Sequence, residues 1–172
     1  VGFLLSQLVH LPLNTALLPH LPSDAAGLVV TAGVVGLRAG LCEELTRYAL
    51  LRTIAKRVRD SGAALMFGAG HAAIEAWIVA GLAALTLVNL ALLGSDPAPW
   101  LQGLSAEEEA AAWVGIEQLR HTSPWVPLVG ALERVMVLPF HLAATLLVTL
   151  SLARSQRRWL VAAISLHALL DG

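Results

Sequence analysis

The sequence predicts an all-α membrane protein: a polytopic bundle of about five transmembrane helices around a polar intramembrane cavity. The first observation is composition, because the 172 residues are 57% hydrophobic and 13% charged, whereas a soluble domain carries roughly 25% charged residues. The second is the length of the apolar runs, in a chain whose mean hydropathy is +0.73. The third is that charged side chains recur inside these runs, where they need a polar interior.

Five apolar stretches are candidates for membrane spans, because about 20 residues of helix cross a hydrocarbon core of ~30 Å. Pro12 is expected to interrupt the first stretch and Pro139 the fourth. The fifth is cut short by the end of the chain, so we expect both ends to be trimmed and the full protein to contain further helices. Residues 1–172 are predicted to form a single membrane-embedded domain with spans at residues 1–20, 26–55, 62–93, 125–153 and 159–172.

The links between the stretches differ in charge, which predicts the orientation of the chain. Two links are basic and contain Arg52, Lys56, Arg57 and Arg59, and Arg154, Arg157 and Arg158. The opposite links are mainly acidic and contain Asp24, and Asp96, Glu107, Glu108, Glu109 and Glu117 with Arg120. Lysine and arginine accumulate in cytoplasmic loops. Both basic links fall on the same side of an alternating bundle, and we expect that side to be cytoplasmic.

Residues 94–124 are predicted to form an extracytoplasmic loop that contains a helix. Ser105 and Glu108 have the spacing of a capping box, and acidic residues suit the first turn of a helix. The apolar residues that follow suit an interfacial helix on the membrane surface; they are Trp113, Val114, Ile116 and Leu119. An ordinary solvated connector is the alternative.

Polar residues inside the apolar stretches are the main indication of function. Each charged side chain near the bilayer centre costs at least about 2.5–3.5 kcal/mol on insertion, so such residues usually face a bundle interior and have a role. Pairs at i, i+4 spacing share a helical face, and three such pairs lie in three stretches: Glu43 with Arg47, His71 with Glu75, and His167 with Asp171. His10, beside Pro12, is expected either to close the cavity or to cap a broken helix.

Four of these residues are predicted to lie at a similar depth. Counted from the basic links, Glu43 lies 13 residues before Lys56 and His71 lies 12 after Arg59. His141 lies 13 before Arg154, and His167 lies 9 after Arg158. At a rise of about 1.5 Å per residue, all four lie roughly 14–20 Å from the cytoplasmic end of their helix. Four helices are therefore expected to bring one carboxylate and three imidazoles into one cavity.

Such a cavity suits three chemistries. A buried carboxylate with a histidine can activate water as a general base. Histidines and a carboxylate can hold zinc, and paired histidines can bind haem. The sequence lacks the H-E-x-x-H helix of zinc proteases. Its single cysteine, Cys42, excludes an internal disulfide and a C-x-x-C metal site. The net charge of −1 argues against binding of nucleic acid.

The motifs resemble those of the glutamic-type intramembrane proteases, the CAAX-processing and bacteriocin-processing superfamily. That group has a Glu-Glu-x-x-x-Arg helix, a Phe-x-x-x-His helix and a late His-x-x-x-Asn/Asp helix. This chain has Glu43-Glu44-x-x-Arg47, Phe67-x-x-x-His71 and His167-x-x-x-Asp171 in the same order. Within this superfamily the chain most resembles the YhfC-like branch. The resemblance implies that the protein lies in a bacterial plasma membrane. The branch-specific residues are Gln7-x-x-His10-x-Pro12-x-Asn14, Arg47-Tyr48, Gly70-His71-x-x-x-Glu75, and Glu133-Arg134 followed by His141.

Two departures from the family pattern bear on this resemblance. Arg47 follows the glutamate pair after two residues instead of three, which fits the branch but not the wider superfamily. Ala72 and Ala73 stand where the branch tends to have glycines, which puts a close helix approach there in doubt.

The resemblance implies a role for each site residue. Glu43 would activate water with the help of His71, and His167 with Asp171 would stabilise the tetrahedral oxyanion. Glu44 and Arg47 would orient the site, and His141 would be an accessory polar wall. From its i, i+4 spacing, Glu75 is expected to fix the tautomer of His71. If the protein binds a metal such as zinc, the candidate ligands are Glu43, His71, His141 and His167.

The sequence therefore predicts an intramembrane endopeptidase that acts on a membrane-associated peptide or protein, in the lipid bilayer and without nucleic acid. A metal-dependent form of the same hydrolysis is one alternative. A non-catalytic membrane scaffold or chaperone that retains the site is another, and a haem-binding electron carrier is the least favoured.

Overall fold

The computed structural model describes residues 2–22, 24–93, 96–121, 123 and 125–171. All regular elements in these ranges are helical, which confirms the predicted all-α class. They are α1 (Gly2–Leu17), α2 (Ala25–Thr53), α3 (Ser61–Leu93), α4 (Ala98–Leu101), α5 (Ala106–Arg120), α6 (Trp125–Arg154) and α7 (Arg157–Asp171), with a 3-10 turn at Leu18–His20. Within the predicted loop 94–124, residues 94, 95, 122 and 124 lie outside the described residues.

Four helices match predicted spans within two residues at each end, namely α2, α3, α6 and α7. The predicted interruptions at proline were wrong, because Pro12 lies inside α1 and Pro139 inside α6. Proline removes one backbone hydrogen bond, and neighbouring helices in a bundle can compensate for that loss.

Two helices in the described ranges are long and apolar enough to cross a membrane. They comprise residues 61–88 of α3 and 132–154 of α6. Helix α2 has 29 residues, but four charged residues lie between its positions 38 and 47. The arrangement with five spans stays a prediction.

The distribution of polar and apolar side chains is the reverse of that in a water-soluble domain. Large apolar residues such as Val29, Trp77 and Leu169 are at least 75% exposed. Many charged and polar side chains are instead buried, among them Arg38, Glu43, Glu44, Arg47, His71, Glu75, His141 and His167. Charged residues are almost never fully buried in soluble proteins unless they are paired, so this pattern favours an apolar environment around the helices.

The chain divides into two compact units: residues 1–75 with 136–172, and residues 76–135. The eight predicted site residues all lie in the first unit. Its apolar core lies near the basic links, where Leu51 of α2, Val148 of α6 and Ala163 of α7 are fully buried. The prediction of a single domain over residues 1–172 stays a prediction.

Two glycines allow helices of the first unit to approach closely. A Cβ atom on Gly40 of α2 would lie 2.7 Å from the carbonyl oxygen of Ile164 in α7. A Cβ atom on Gly68 of α3 would lie 2.8 Å from the carbonyl oxygen of His141 in α6. Both contacts are with backbone, which cannot move aside as a flexible side chain can. These approaches bring the polar side chains of four helices within reach of each other.

The second unit contains the predicted capping box, which the structure confirms at the start of α5. The Ser105 hydroxyl accepts a hydrogen bond from the backbone N–H of Glu108, and the Glu108 carboxylate accepts from the backbone N–H of Ser105. The hydroxyl of Ser105 also donates to this carboxylate, and these bonds hold the pKa of Glu108 below its usual range. Ile116 of α5 is buried while Trp113 and Val114 are exposed; its interfacial position stays a prediction.

Candidate active site

The structure brings the eight predicted site residues together from four helices of the first unit. Seven of them are at most 9% exposed, and the eighth, Asp171, has a side chain that is 37% exposed. Glu43, Glu44 and Arg47 lie on α2, His71 and Glu75 on α3, His141 on α6, and His167 and Asp171 on α7.

The two glutamates of the pair point to different neighbours, because consecutive helical residues are about 100° apart. Glu43 faces α3, where its Oε2 lies 3.0 Å from Nε2 of His71. The same oxygen is 3.9 Å from Nε2 of His167. Among the described residues, His71 supplies the only hydrogen bond to Glu43. The carboxylate of Glu43 therefore keeps acceptor sites free for a ligand.

Glu44 is instead fully engaged by protein groups. Nη1 of Arg47 donates to both of its carboxylate oxygens, over 2.6 and 2.8 Å. Nδ1 of His167 contacts Oε1 of Glu44 at 2.8 Å. Arg47 and Glu44 are fully buried, so each charge depends on the other for stability. This arrangement fits an orienting role for Glu44.

His141 lies between a guanidinium and a carboxylate. Nη2 of Arg47 is 2.9 Å from its Nδ1, and Oε2 of Glu75 is 2.6 Å from its Nε2. Because a guanidinium has no acceptor, Nδ1 must accept this bond. The proton of the neutral imidazole therefore lies on Nε2 and is donated to Glu75. The sequence prediction had paired Glu75 with His71 on the same helix, whereas the bond to His141 joins α3 to α6.

His167 contacts a carboxylate with each ring nitrogen. Nδ1 faces Glu44, as described above, and Nε2 lies 3.2 Å from Oδ2 of Asp171. A neutral imidazole has one N–H donor, whereas an imidazolium has two. The geometry therefore matches the imidazolium form, with one proton shared with each carboxylate.

The three imidazole rings lie beside one another. The ring centroids of His71 and His141 are 4.7 Å apart, and those of His141 and His167 are 5.8 Å apart. Phe140 packs edge-on against His141 and His167, with centroids at 5.0 and 4.9 Å. Phe140 was not predicted, since an aromatic residue in an apolar helix gives no signal of its own. Its contacts restrict the rotation of both rings.

Arg38 is a second residue that the sequence prediction missed. It lies on α2, is 6% exposed, and donates from Nη1 to the carbonyl oxygen of Leu13 on α1 over 3.3 Å. The signal was present, because Arg38 is a charged residue within the apolar stretch 26–55 and meets the criterion that selected Glu43.

The residues fit a divalent metal in most respects. One donor atom each from Glu43, His71, Glu75 and His141 can be chosen so that all four lie within 4.8 Å of one another. Two imidazoles and two carboxylates suit zinc, whose bonds of roughly 2.0–2.2 Å place tetrahedral ligands roughly 3.3–3.6 Å apart. The His71–Glu43 contact of 3.0 Å would have to open by roughly 0.3–0.6 Å, and the His141–Glu75 contact of 2.6 Å by roughly 0.7–1.0 Å. Glu75 takes the place of His167 in the predicted set, because both nitrogens of His167 face carboxylates.

His141 is the one donor whose hydrogen bonds oppose a metal. Its Nε2 carries the proton while Arg47 donates to Nδ1. Ligation through Nε2 would therefore require Arg47 to release Nδ1. Nε2 of His71 has no such conflict, because its Nδ1 has no partner among the described residues.

Comparison with known proteins places the chain in a family. The whole chain, residues 1–172, matches the family described as YhfC intramembrane metalloprotease. The "Uncharacterized membrane protein YhfC" of Bacillus subtilis (strain 168) is 32% identical over 141 residues, which make up 81% of this chain and 54% of that protein. The chain thus spans about half the length of this relative. No solved structure matches the chain. The match along its whole length shows that the chain belongs to the YhfC intramembrane metalloprotease family.

Proposed function

We propose that this chain forms the core of a membrane-embedded peptidase that hydrolyses a peptide bond within or beside the bilayer, with a divalent metal at the buried His/Glu cluster. The observation that carries this proposal is the proximity of four donor atoms, from Glu43, His71, Glu75 and His141, within 4.8 Å of one another. The description of the family as a metalloprotease agrees with this chemistry.

In this proposal His71, His141 and Glu75 hold the metal, a set of two histidines and one carboxylate known from catalytic zinc sites. Such an ion supplies an acidic bound water and polarises a carbonyl group. Glu43 is left as the general base, because it accepts only one protein hydrogen bond and is adjacent to His71. The choice of Glu43 over Glu44 is supported by the three contacts that already occupy Glu44.

The remaining residues position the site. Arg47 joins Glu44 to His141 and so fixes both relative to α2. His167, held by Glu44, directs its Nε2 towards Asp171 and Glu43. A cationic imidazole at this place would stabilise the negative charge that develops on a tetrahedral intermediate. Asp171 is the most exposed of the eight and is the contact that a substrate would displace.

A metal-free form of the reaction is the second candidate, and the tautomer of His141 favours it. With Nδ1 occupied by Arg47 and Nε2 donated to Glu75, this ring has no lone pair for a metal. Glu43 and His71 alone would then activate water, as the resemblance to glutamic-type proteases implies. We also infer, from the three shared motifs, that the YhfC family is related to the CAAX-processing and bacteriocin-processing superfamily.

The apolar exterior and the two span-length helices support a membrane location. We propose a multi-pass bundle of about five spans in this part of the protein, in a bacterial plasma membrane with both basic links in the cytoplasm. A polar cavity at the level of Glu43 would admit water and a membrane-associated peptide or protein.

The decisive experiment uses the full-length protein, purified and reconstituted in liposomes, with a library of membrane-associated peptides. Glu43→Gln should lower the cleavage rate at least 10²-fold, the usual loss when a general base is removed. Glu133→Gln is the matched control, because the Glu133 side chain is 60% exposed and pairs with Arg134. In the metal-dependent form, chelation should abolish activity and added zinc should restore it. In the metal-free form, neither treatment should change the activity.

A scaffold or chaperone that retains the site gives a different result. Wild type then cleaves no peptide, and cells that carry Glu43→Gln or His71→Ala keep the wild-type phenotype. Cleavage by wild type that Glu43→Gln leaves unchanged would overturn the assignment of the base.

A further inference from the structure

Arg38 presents an unused hydrogen-bonding edge inside the first unit. Its Nη1 donates to the carbonyl oxygen of Leu13, whereas Nε and Nη2 have no partner among the described residues. Both nitrogens are buried, and the residue as a whole is 6% exposed. A buried donor without an acceptor loses its hydration and gains nothing in return, and a buried charge without a partner is more unfavourable still.

The two unpartnered nitrogens have a specific geometry. Nε–H and one N–H of Nη2 are parallel and form one side of the planar guanidinium. That side matches the two oxygens of a carboxylate in a bidentate pair. A single carbonyl oxygen or a water molecule would satisfy only part of it. The pattern of free and occupied nitrogens therefore indicates a carboxylate ligand.

Two neighbouring side chains on α1 are also unsatisfied. Nε2 of His10 and Oδ1 of Asn14 are buried and have no partner among the described residues. They are four residues apart and share one helical face, next to Leu13, which Arg38 contacts. Oxygen and nitrogen of an asparagine amide are assigned by their surroundings, so Asn14 can turn its NH2 group towards an anion.

We propose that Arg38, assisted by His10 and Asn14, binds the carboxylate of a peptide. Arg38 precedes Glu43 by five residues on α2, an axial separation of about 7.5 Å. An extended peptide covers that distance in roughly two residues. Five positions also rotate the two side chains about 140° apart around α2, so a carboxylate held by Arg38 lies two or more residues from a bond at Glu43. The binding of the carboxylate stands by itself, whereas its role as a substrate subsite rests on the proposed peptidase function.

The test measures binding without turnover, in full-length protein with Glu43→Gln as the background. The probes form two pairs. N-acetyl-leucyl-leucine and its C-terminal amide differ in a terminal carboxylate. N-acetyl-leucyl-glutamate amide and N-acetyl-leucyl-glutamine amide differ in a side-chain carboxylate. At about 100 times Kd, a bound ligand should raise Tm by roughly 5 °C. We expect this for a probe with a carboxylate and no shift for the matched amide. The pair that responds identifies the carboxylate as terminal or as an acidic side chain.

Substitutions at the subsite complete the test. Arg38→Gln should remove the shift and Arg38→Lys should reduce it, because lysine offers no bidentate edge. Arg52→Gln is the matched control, since Arg52 is exposed and contacts only the Tyr48 hydroxyl at 3.4 Å among the hydrogen bonds described.

Asn14→Asp keeps the test valid if Arg38→Gln fails to fold. This change places a carboxylate beside Arg38, so it should raise Tm without ligand and abolish the shift caused by the probes. Thr15→Asp adds the same charge at an exposed position of α1 and should do neither. Equal shifts with acid and amide, a shift that survives Arg38→Gln, or no shift with any probe would overturn the proposal. Carboxylate-specific shifts in a protein that cleaves no peptide would retain the subsite and reject the peptidase function.

Discussion

Nη2 of Arg47 donates a hydrogen bond to Nδ1 of His141 over 2.9 Å and thereby determines which nitrogen of that ring carries the proton. The partners are 94 residues apart in sequence, on α2 and α6. The same guanidinium holds Glu44 through Nη1. Arg47 is thus a buried junction between the glutamate pair and the histidine cluster, and its removal should affect both.

Replacing Arg47 should separate its structural and positioning effects. Arg47→Met removes the guanidinium that neutralises the buried Glu44 and leaves it only the contact with His167, so it should lower the free energy of unfolding by about 3–5 kcal/mol. Arg47→Lys keeps one charge beside Glu44 but cannot also bond His141, so it should lose activity while it retains most of the stability. Thermal unfolding in detergent and peptide cleavage are the two measurements. Arg52→Met, at an exposed site, is the control. Equal effects at positions 47 and 52 would contradict the assigned role.

Neutralising the two glutamates should have different effects on the stability of the protein. Glu44→Gln removes the charge that compensates the fully buried Arg47 and should destabilise the protein by about 3 kcal/mol or more. Glu43→Gln keeps its contact with His71 through the amide and should change stability by less than about 1 kcal/mol. Activity should be lost in Glu43→Gln even though the protein remains folded. A folded, active Glu43→Gln protein would contradict the assignment of Glu43 as the base.

The close approach of α3 and α6 should depend on one glycine. A Cβ atom on Gly68 would lie 2.8 Å from the carbonyl oxygen of His141 and 2.9 Å from the Thr145 hydroxyl. Gly68→Ala should therefore cost about 1–3 kcal/mol of stability and separate His71 from His141. Gly70→Ala is the matched control on the same helix, because a Cβ atom there meets nothing within 4 Å. It should stabilise the helix by about 0.5–1 kcal/mol. Thermal unfolding distinguishes the two, and a neutral Gly68→Ala would contradict this contact.

The sequence predicted the helices and the cluster well because both depend on local chemistry. Apolar runs and the few charges that interrupt them are visible in the sequence, so the ends of α2, α3, α6 and α7 lay within two residues of the prediction. The number of residues from the basic links also predicted a common depth for Glu43 and the three histidines. Depth along a helix follows from a constant rise per residue.

The pairing of side chains within the cluster could not be predicted in the same way. It depends on helix rotation, which the sequence does not encode locally. Spacing joined Glu75 to His71, whereas the structure places its carboxylate 2.6 Å from His141 on another helix. The close contact between α3 and α6 lies at Gly68, a position that the sequence analysis did not single out. Arg38 is a charged residue inside an apolar stretch, but it belongs to none of the motifs that marked the other site residues.

The orientation of the chain leads to a fourth prediction, which tests the proposed multi-pass arrangement. In a Cys42→Ala background, single cysteines in place of Lys56 and Arg157 should react with a membrane-impermeant maleimide only after cells are permeabilised. A cysteine in place of Glu109 should react in intact cells, because the acidic loop is expected on the outer face. Lys56 lies in the basic link between α2 and α3, and Arg157 lies in the basic segment where α6 ends and α7 begins. Labelling of all three in intact cells would contradict the proposed sidedness.

Metal content provides the last prediction, because the geometry separates the three histidines. His71→Ala removes a donor whose Nε2 lies in the four-residue cluster, so purified protein should lose its metal, with affinity reduced 10-fold or more. His167→Ala should retain the metal, since both nitrogens of His167 face the carboxylates of Glu44 and Asp171. Elemental analysis of purified full-length protein checks both variants against wild type. If Arg47 competes with the metal for His141, Arg47→Lys should bind the ion more tightly than wild type, because Nδ1 can then carry the proton. Wild-type protein that is active and contains no metal would select the glutamic mechanism, in which Glu43 and His71 act alone.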